Sequence, residues 1–246
     1  MQMAVRAFAF AVLAAVGTVG HAQDAGKGFL FARPDGSFTL RGGFAVAHAS
    51  SDIFSFATDQ LTLSRGDFSG ALLGGDLAFS LRSNLDLVLS ASYAGTSKRS
   101  EFRHWLDNKD LPIEQSTKFA RAPITASLKY YITDRGRSVG SFAWIPSKYA
   151  PFVGAGAGFM YYRFQQVGDF VDFDTHGVFS HDYDSSGWAK TAHVLAGFEY
   201  SLGTRWSLST EARYGWAKAD LSDDFSGFKP IDLSGFTTSV GLLVRF

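Results

Sequence analysis

Apolar and polar residues alternate along the last twelve positions of the chain. Phe236, Thr238, Val240, Leu242, Val244 and Phe246 fall on one face, and Gly235, Thr237, Ser239, Gly241, Leu243 and Arg245 on the other. A strand sends successive side chains to opposite sides, so this period of two predicts a strand with one apolar face. The same pattern recurs upstream. Trp206, Leu208, Ala212, Tyr214 and Trp216 alternate with Ser207, Ser209, Glu211 and Arg213, and Val194, Ala196, Phe198, Tyr200 and Leu202 with His193, Gly197, Glu199 and Ser201. The short link Gly203-Thr204-Arg205 makes a hairpin of these two segments.

Earlier segments repeat the theme. Phe38, Leu40, Phe44 and Val46 oppose Thr39, Arg41 and Gly43, and Leu73, Leu77, Phe79 and Leu81 oppose Asp76, Ser80 and Arg82. Leu85 to Tyr93 follows through a Ser83-Asn84 turn, and Ile124, Ala126, Leu128, Tyr130 and Ile132 oppose Thr125, Ser127, Lys129 and Tyr131. In Phe152 to Phe164, the run Gly154-Ala155-Gly156-Ala157-Gly158 leaves the facing open. Together these predict an all-β chain: a transmembrane antiparallel up-and-down β-barrel of eight strands. Long connections are expected at residues 50–66, 98–118, 166–187 and 217–231, alternating with shorter ones, as in barrels with long external loops and short periplasmic turns. The link from Asp134 to Ala150 is long for a periplasmic turn, and Trp144 within it suggests a position at the membrane interface. A ten-stranded barrel, with a further hairpin from this link or a loop, stays open.

The N-terminus supplies the compartment. Arg6 precedes an uncharged run from Ala7 to Val19, followed by Gly20-His21-Ala22. Its apolar core is about as long as that of an export signal and too short for a spanning helix. Residues 1–22 are therefore expected to be a cleaved signal peptide and residues 23–246 the barrel domain.

Composition sharpens this picture. The 246 residues include 24 Phe, 9 Tyr and 26 Gly but only 6 Pro, a mixture suited to strands and turns. Cysteine is absent, which excludes disulfides and thiolate metal sites. The 23 basic and 23 acidic side chains balance, so no nucleic-acid partner is expected. A soluble barrel would turn its apolar face inward. Here the polar face of the segments carries Arg41, Asp76, Lys129, Glu199, Glu211 and Arg213, which fits a polar lumen with lipid outside.

With its signal peptide, its eight alternating segments, Pro151-Phe-Val-Gly-Ala-Gly-Ala-Gly158, Gly197-Phe-Glu-Tyr200 and a terminal aromatic, the chain resembles the small outer-membrane β-barrel superfamily. That group comprises the OmpA transmembrane domains and the OmpX-like and OmpW-like proteins. The resemblance spans the mature chain but is architectural. It implies a bacterial outer-membrane location and a role for Phe246 as a signal read by the barrel assembly machinery. Because the chain stops at its last strand, no peptidoglycan-binding domain is expected.

The six inward charges are balanced, and an eight-stranded barrel is only wide enough for side chains to fill. Opposite charges there are expected to pair, giving a closed lumen and a structural or surface-interaction role. OmpW-like or porin-like passage of small molecules, hydrophobic ones included, is the alternative. A lipid A-modifying enzyme ranks third: His48-Ala49-Ser50 and the lumen residue His193 are the nearest candidates, and neither matches a deacylase pattern. No catalytic residue, cofactor or metal is assigned. The acidic segment with Asp169, Asp172, Asp174, Asp182, Asp184, His176 and His181 lacks calcium-loop spacing. Lys98, Arg99, Arg103, Lys109 and Lys118 offer a basic partner for it or for lipopolysaccharide. Outer-membrane lipid and lipopolysaccharide, the assembly machinery and an external ligand at residues 98–118 and 166–187 are the expected partners.

Overall fold

In a computed structural model, the described residues are 29–107, 110–140, 143–172, 175 and 177–246. The expected signal peptide lies outside them, as do Lys109, Asp174 and His176. Eight long strands follow in order: β1 Gly36–Ala47, β2 Gly70–Arg82, β3 Leu85–Leu106, β4 Pro112–Tyr131, β5 Tyr149–Val171, β6 Val178–Ser201, β7 Trp206–Ala219 and β8 Gly235–Arg245. Each pairs antiparallel with the next, and β8 pairs with β1, which closes the ring. Phe246 completes the seam: its N–H donates to the Gly36 carbonyl at 3.0 Å, and its own carbonyl accepts from Asp35 and Gly36.

The register gives the barrel its shape. From Ser37 the pairs run through Ala78, Val88, Ser127, Gly156, His193, Gly215 and Gly235 to Ala47, ten residues beyond the start. With eight strands, that stagger sets a strand tilt of about 40° and a radius of about 8 Å. The outer face carries an exposed apolar belt, with Leu40, Leu73, Leu89, Ile124, Leu128 and Val240 among its members. Trp188, Trp206 and Trp216 are exposed aromatics on the same face, the composition of a bilayer-crossing surface. No helix among the described residues is long and apolar enough to cross a membrane; the apolar belt lies on the strands.

The ring has eight strands, as expected. Other expectations are corrected: the 134–150 link does form a hairpin, but outside the ring. Gly136–Val139 and Ala143–Pro146 pair with each other, and the latter also with Leu30–Phe31, as a separate three-stranded sheet. Trp144 in this sheet is buried rather than interfacial, 5.8 Å from the Arg245 guanidinium. Residues 98–118 and 166–187 are mostly strand, so β3 to β6 rise as a tall wall above the shorter β1, β2, β7 and β8. The glycines of β5 face inward. A Cβ on Gly156 would stand 2.5 Å from Ser127 Oγ and 2.8 Å from His193 Cε1, so only glycine lets those side chains cross the lumen there.

Residues 50–66 are not an open loop. Asp52–Gln60 forms helix α1, whose Ile53, Phe54 and Ala57 are buried, and Arg65–Phe68 makes a 3-10 turn that delivers Phe68 inward. The Asp67 carboxylate closes that turn by accepting from the Ser64 backbone and hydroxyl. Both pieces lean into the tall wall. Phe54 meets Phe68, Phe119 and Phe164 edge-on at 4.7, 5.4 and 5.8 Å, the arrangement that aromatic quadrupoles favour. Residues 221–233, with Phe225, Ile231 and Leu233, join from the other side. The result is an apolar plug in the external half of the barrel.

Candidate functional site: the layered lumen

All six inward charges named from the sequence face the lumen, in two groups. Nearer the end that carries the short turns, Lys129 Nζ donates to Glu199 Oε1 at 2.8 Å, and the Tyr131 hydroxyl donates to the same oxygen at 2.6 Å. The Lys129 ammonium also sits 3.8 Å from the Phe152 ring centre, a favourable cation–π contact. One step up, Arg41 lies 3.1 Å from Asp76 and 3.3 Å from Glu211, and Arg213 lies 2.9 Å from Glu211.

Other members of these groups are not among the six. Arg245 Nη2 reaches Glu199 Oε2 at 3.4 Å, and Arg135 closes the bottom by pairing with Asp86 at 2.7 Å and donating to Ser80. Arg245 stands on the polar face of the terminal segment, so its inward direction is visible in the alternation. Arg135 is on a connection, where no periodicity announces it. Beside them, under Trp144, a cleft of about 10 Å³ has room for one water.

Ser127 Oγ and His193 Nε2 meet at 2.8 Å in mid-barrel. At the external rim, His48 and Ser50 come together on a third residue rather than on each other. His48 Nδ1 and the Ser50 hydroxyl both contact Asp232 Oδ2, at 2.8 and 2.6 Å, and the Ser234 N–H donates to Oδ1 at 3.0 Å. Asp232 has no local sequence signal; only the β1–β8 seam brings it there.

Burial alone would raise the Asp232 carboxyl, but the bonds from Ser50, Ser234 and His48 outweigh it and hold the group well below the usual carboxylate range. A depressed acid contributes stability that is complete above its unfolded value of about 4 and is lost as the pH falls toward its folded value. The stability difference between the wild type and Asp232→Asn is therefore expected to stay constant from pH 7 to pH 5. It should shrink only below about pH 4, as read from urea midpoints of refolded protein in detergent.

The external segments engage their neighbours. Lys98 lies 3.5 Å from Asp67, and Arg103 donates to the Thr58 and Leu63 carbonyls, so these bases hold the plug rather than the acidic hairpin. On that hairpin Asp184 pairs with Arg163 at 2.7 Å, and Asp182 accepts from Gln165.

A closed eight-stranded meander with a lipid-facing belt is the architecture of the small outer-membrane β-barrels. No protein-family model matches the sequence, and no curated protein matches it as a relative. Solved structures of such barrels are similar. Neisserial surface protein A is 14% identical with a TM-score of 0.44, over 89% of this chain and 98% of that one. The attachment invasion locus protein Ail of Yersinia pestis is 14% identical with a TM-score of 0.42, over 86% and 99%. The Escherichia coli outer membrane protein W is 16% identical with a TM-score of 0.39, over 87% and 100%.

Proposed function

We propose that the chain is a bacterial outer-membrane barrel whose lumen is shut. Its role is structural or interactive: it presents the plug and the tall β3–β6 wall to the surroundings, without turnover. The observation that carries this is the blocking of the lumen at two levels, by paired charges below and by the Phe54 cluster above. His48 and Ser50 both bond to Asp232, which gives no support to a lipid A-modifying serine. Phe246 serves as the assembly signal, the basic residues of 98–118 meet lipopolysaccharide, and an external ligand meets residues 98–118 and 166–187.

A second reading, passage of small apolar molecules sideways into the bilayer, rests on one irregularity. The β3–β4 ladder runs to Ala91↔Ile124 and resumes at Ala94↔Arg121, skipping two positions beside Pro123, which has no N–H to donate.

Planar-bilayer recordings of the refolded chain test the first reading. Wild-type protein is expected to show no steady unitary conductance, and Lys129→Ala and Glu199→Ala reveal whether the lower layer is the seal. Steady wild-type channels would refute closure. Ion-tight proteoliposomes that nevertheless take up a small apolar fluorophore faster than plain vesicles would favour the second reading.

A further inference from the structure

Between the ion pairs and the plug lies a cavity of about 60 Å³, bordered by Arg41, Arg121, Arg213, His193 and Thr125. A single water needs roughly 10–15 Å³ by the same measure, so the space holds several waters or one small polyatomic ion.

The charges around it do not balance locally. Glu211 answers both Arg41 and Arg213, and Asp76 answers Arg41. Arg121 is the third guanidinium, 7% exposed, and makes no ion pair among the described residues. Its Nη1 donates to the carbonyls of Leu233 and Ser234, at 3.1 and 3.3 Å. Asp232 acts on it only through space, and its oxygens are already taken by Ser50, His48 and Ser234. Two further groups of cavity-lining residues, Arg41 Nη2 and Thr125 Oγ1, are buried without a hydrogen-bond partner among the described residues.

A buried guanidinium without a counter-charge is strongly disfavoured. Its planar fork of donors fits a tetrahedral oxyanion better than a single-point partner. The backbone makes room for it: a Cβ on Gly235 would stand 2.9 Å from Arg121 Nη1 and 2.3 Å from the Val46 carbonyl.

We infer that this mid-lumen cavity binds a small tetrahedral oxyanion of the phosphate or sulfate class, with Arg121 as its principal ligand. An ion present during refolding is enclosed as the barrel closes, so the site needs no open lumen and stands or falls separately from the proposed function.

Equilibrium dialysis of the full chain, refolded in nonionic detergent in the presence of radiolabelled inorganic phosphate over a chloride background, tests the site. Wild-type protein is expected to bind saturably, about one ion per chain, with sulfate competing. Arg121→Gln is expected to weaken binding about tenfold or more. Gly215→Val fills the cavity while keeping all three arginines. Its Cβ meets nothing nearer than the Ala192 carbonyl at 3.8 Å, so it is expected to fold, with native gel mobility, and to abolish binding. Absence of saturable wild-type binding, or binding that survives either substitution in folded protein, overturns the assignment.

Discussion

Glu199→Leu is expected to destabilise the barrel by about 3–5 kcal/mol, because it removes the ion-pair partner of the buried Lys129. Glu199 is 2% exposed and accepts from Lys129, Tyr131 and Arg245 at once. The neighbouring carboxylates, Asp86 across the β3–β4 ladder and Glu211 one layer up, are already engaged by Arg135 and by Arg41 and Arg213, and Lys129 is itself buried. The test is the urea midpoint of refolded protein in detergent micelles, followed by tryptophan fluorescence. The double variant Lys129→Met, Glu199→Leu is expected to recover most of the loss, since an apolar pair of similar volume often replaces a buried ion pair at little cost. A single variant as stable as the wild type would show that water reaches Lys129 from below.

Phe54→Ala is expected to unseat the plug while leaving the strands in place. Phe54 is fully buried against Phe68, Phe119 and Phe164, and truncating such a ring costs about 3–5 kcal/mol. That exceeds what a nine-residue helix contributes alone, since helices this short are marginal in water. The loss therefore falls on residues 48–69 rather than on the ring, whose ladder contains no atom of Phe54. Limited proteolysis is expected to cut the variant near Arg65 long before the wild type, with a nearly unchanged urea midpoint for the barrel. Equal protection of the segment in both proteins would contradict an independently seated plug.

The barrel is legible in the sequence where the chain crosses the bilayer, because lipid imposes an apolar outer face against a polar inner one. Leu73, Leu77 and Phe79 against Asp76 is such a stretch. Above the membrane the rule inverts. In β4 the inward residues are Ile113, Gln115, Thr117 and Phe119, and in β5 they are Met160, Tyr162 and Phe164, because there the inner face meets the plug and the outer face meets water. With the apolar face switching sides along one strand, alternation no longer separates strand from loop, and residues 98–118 and 166–187 look like connections.

Helix α1 leaves only a faint trace in Ile53, Phe54 and Ala57, since its stability comes from the wall it packs on. The six lumen charges follow from alternation, but their partners do not. Pairing Lys129 with Glu199, 70 residues away, requires the stagger of the ring. Arg121 sits at the border where the inner face turns apolar, so no sequence pattern marks it as a lumen charge.

The two segments that build the plug leave the barrel beside its closing seam, one after β1 and one before β8. The contacts that latch them, His48 and Ser50 to Asp232 and the Lys229 N–H to Asp52, join residues 177 to 184 apart. Bringing such distant positions together carries a large loop-closure entropy, and the seam meets it once for all of them. The latching contacts of the plug are therefore expected to form after the last strand docks. Trp105, which packs against the plug from the wall, is placed to report the seating of the plug, and its fluorescence in refolding is expected to change later than the formation of the strands.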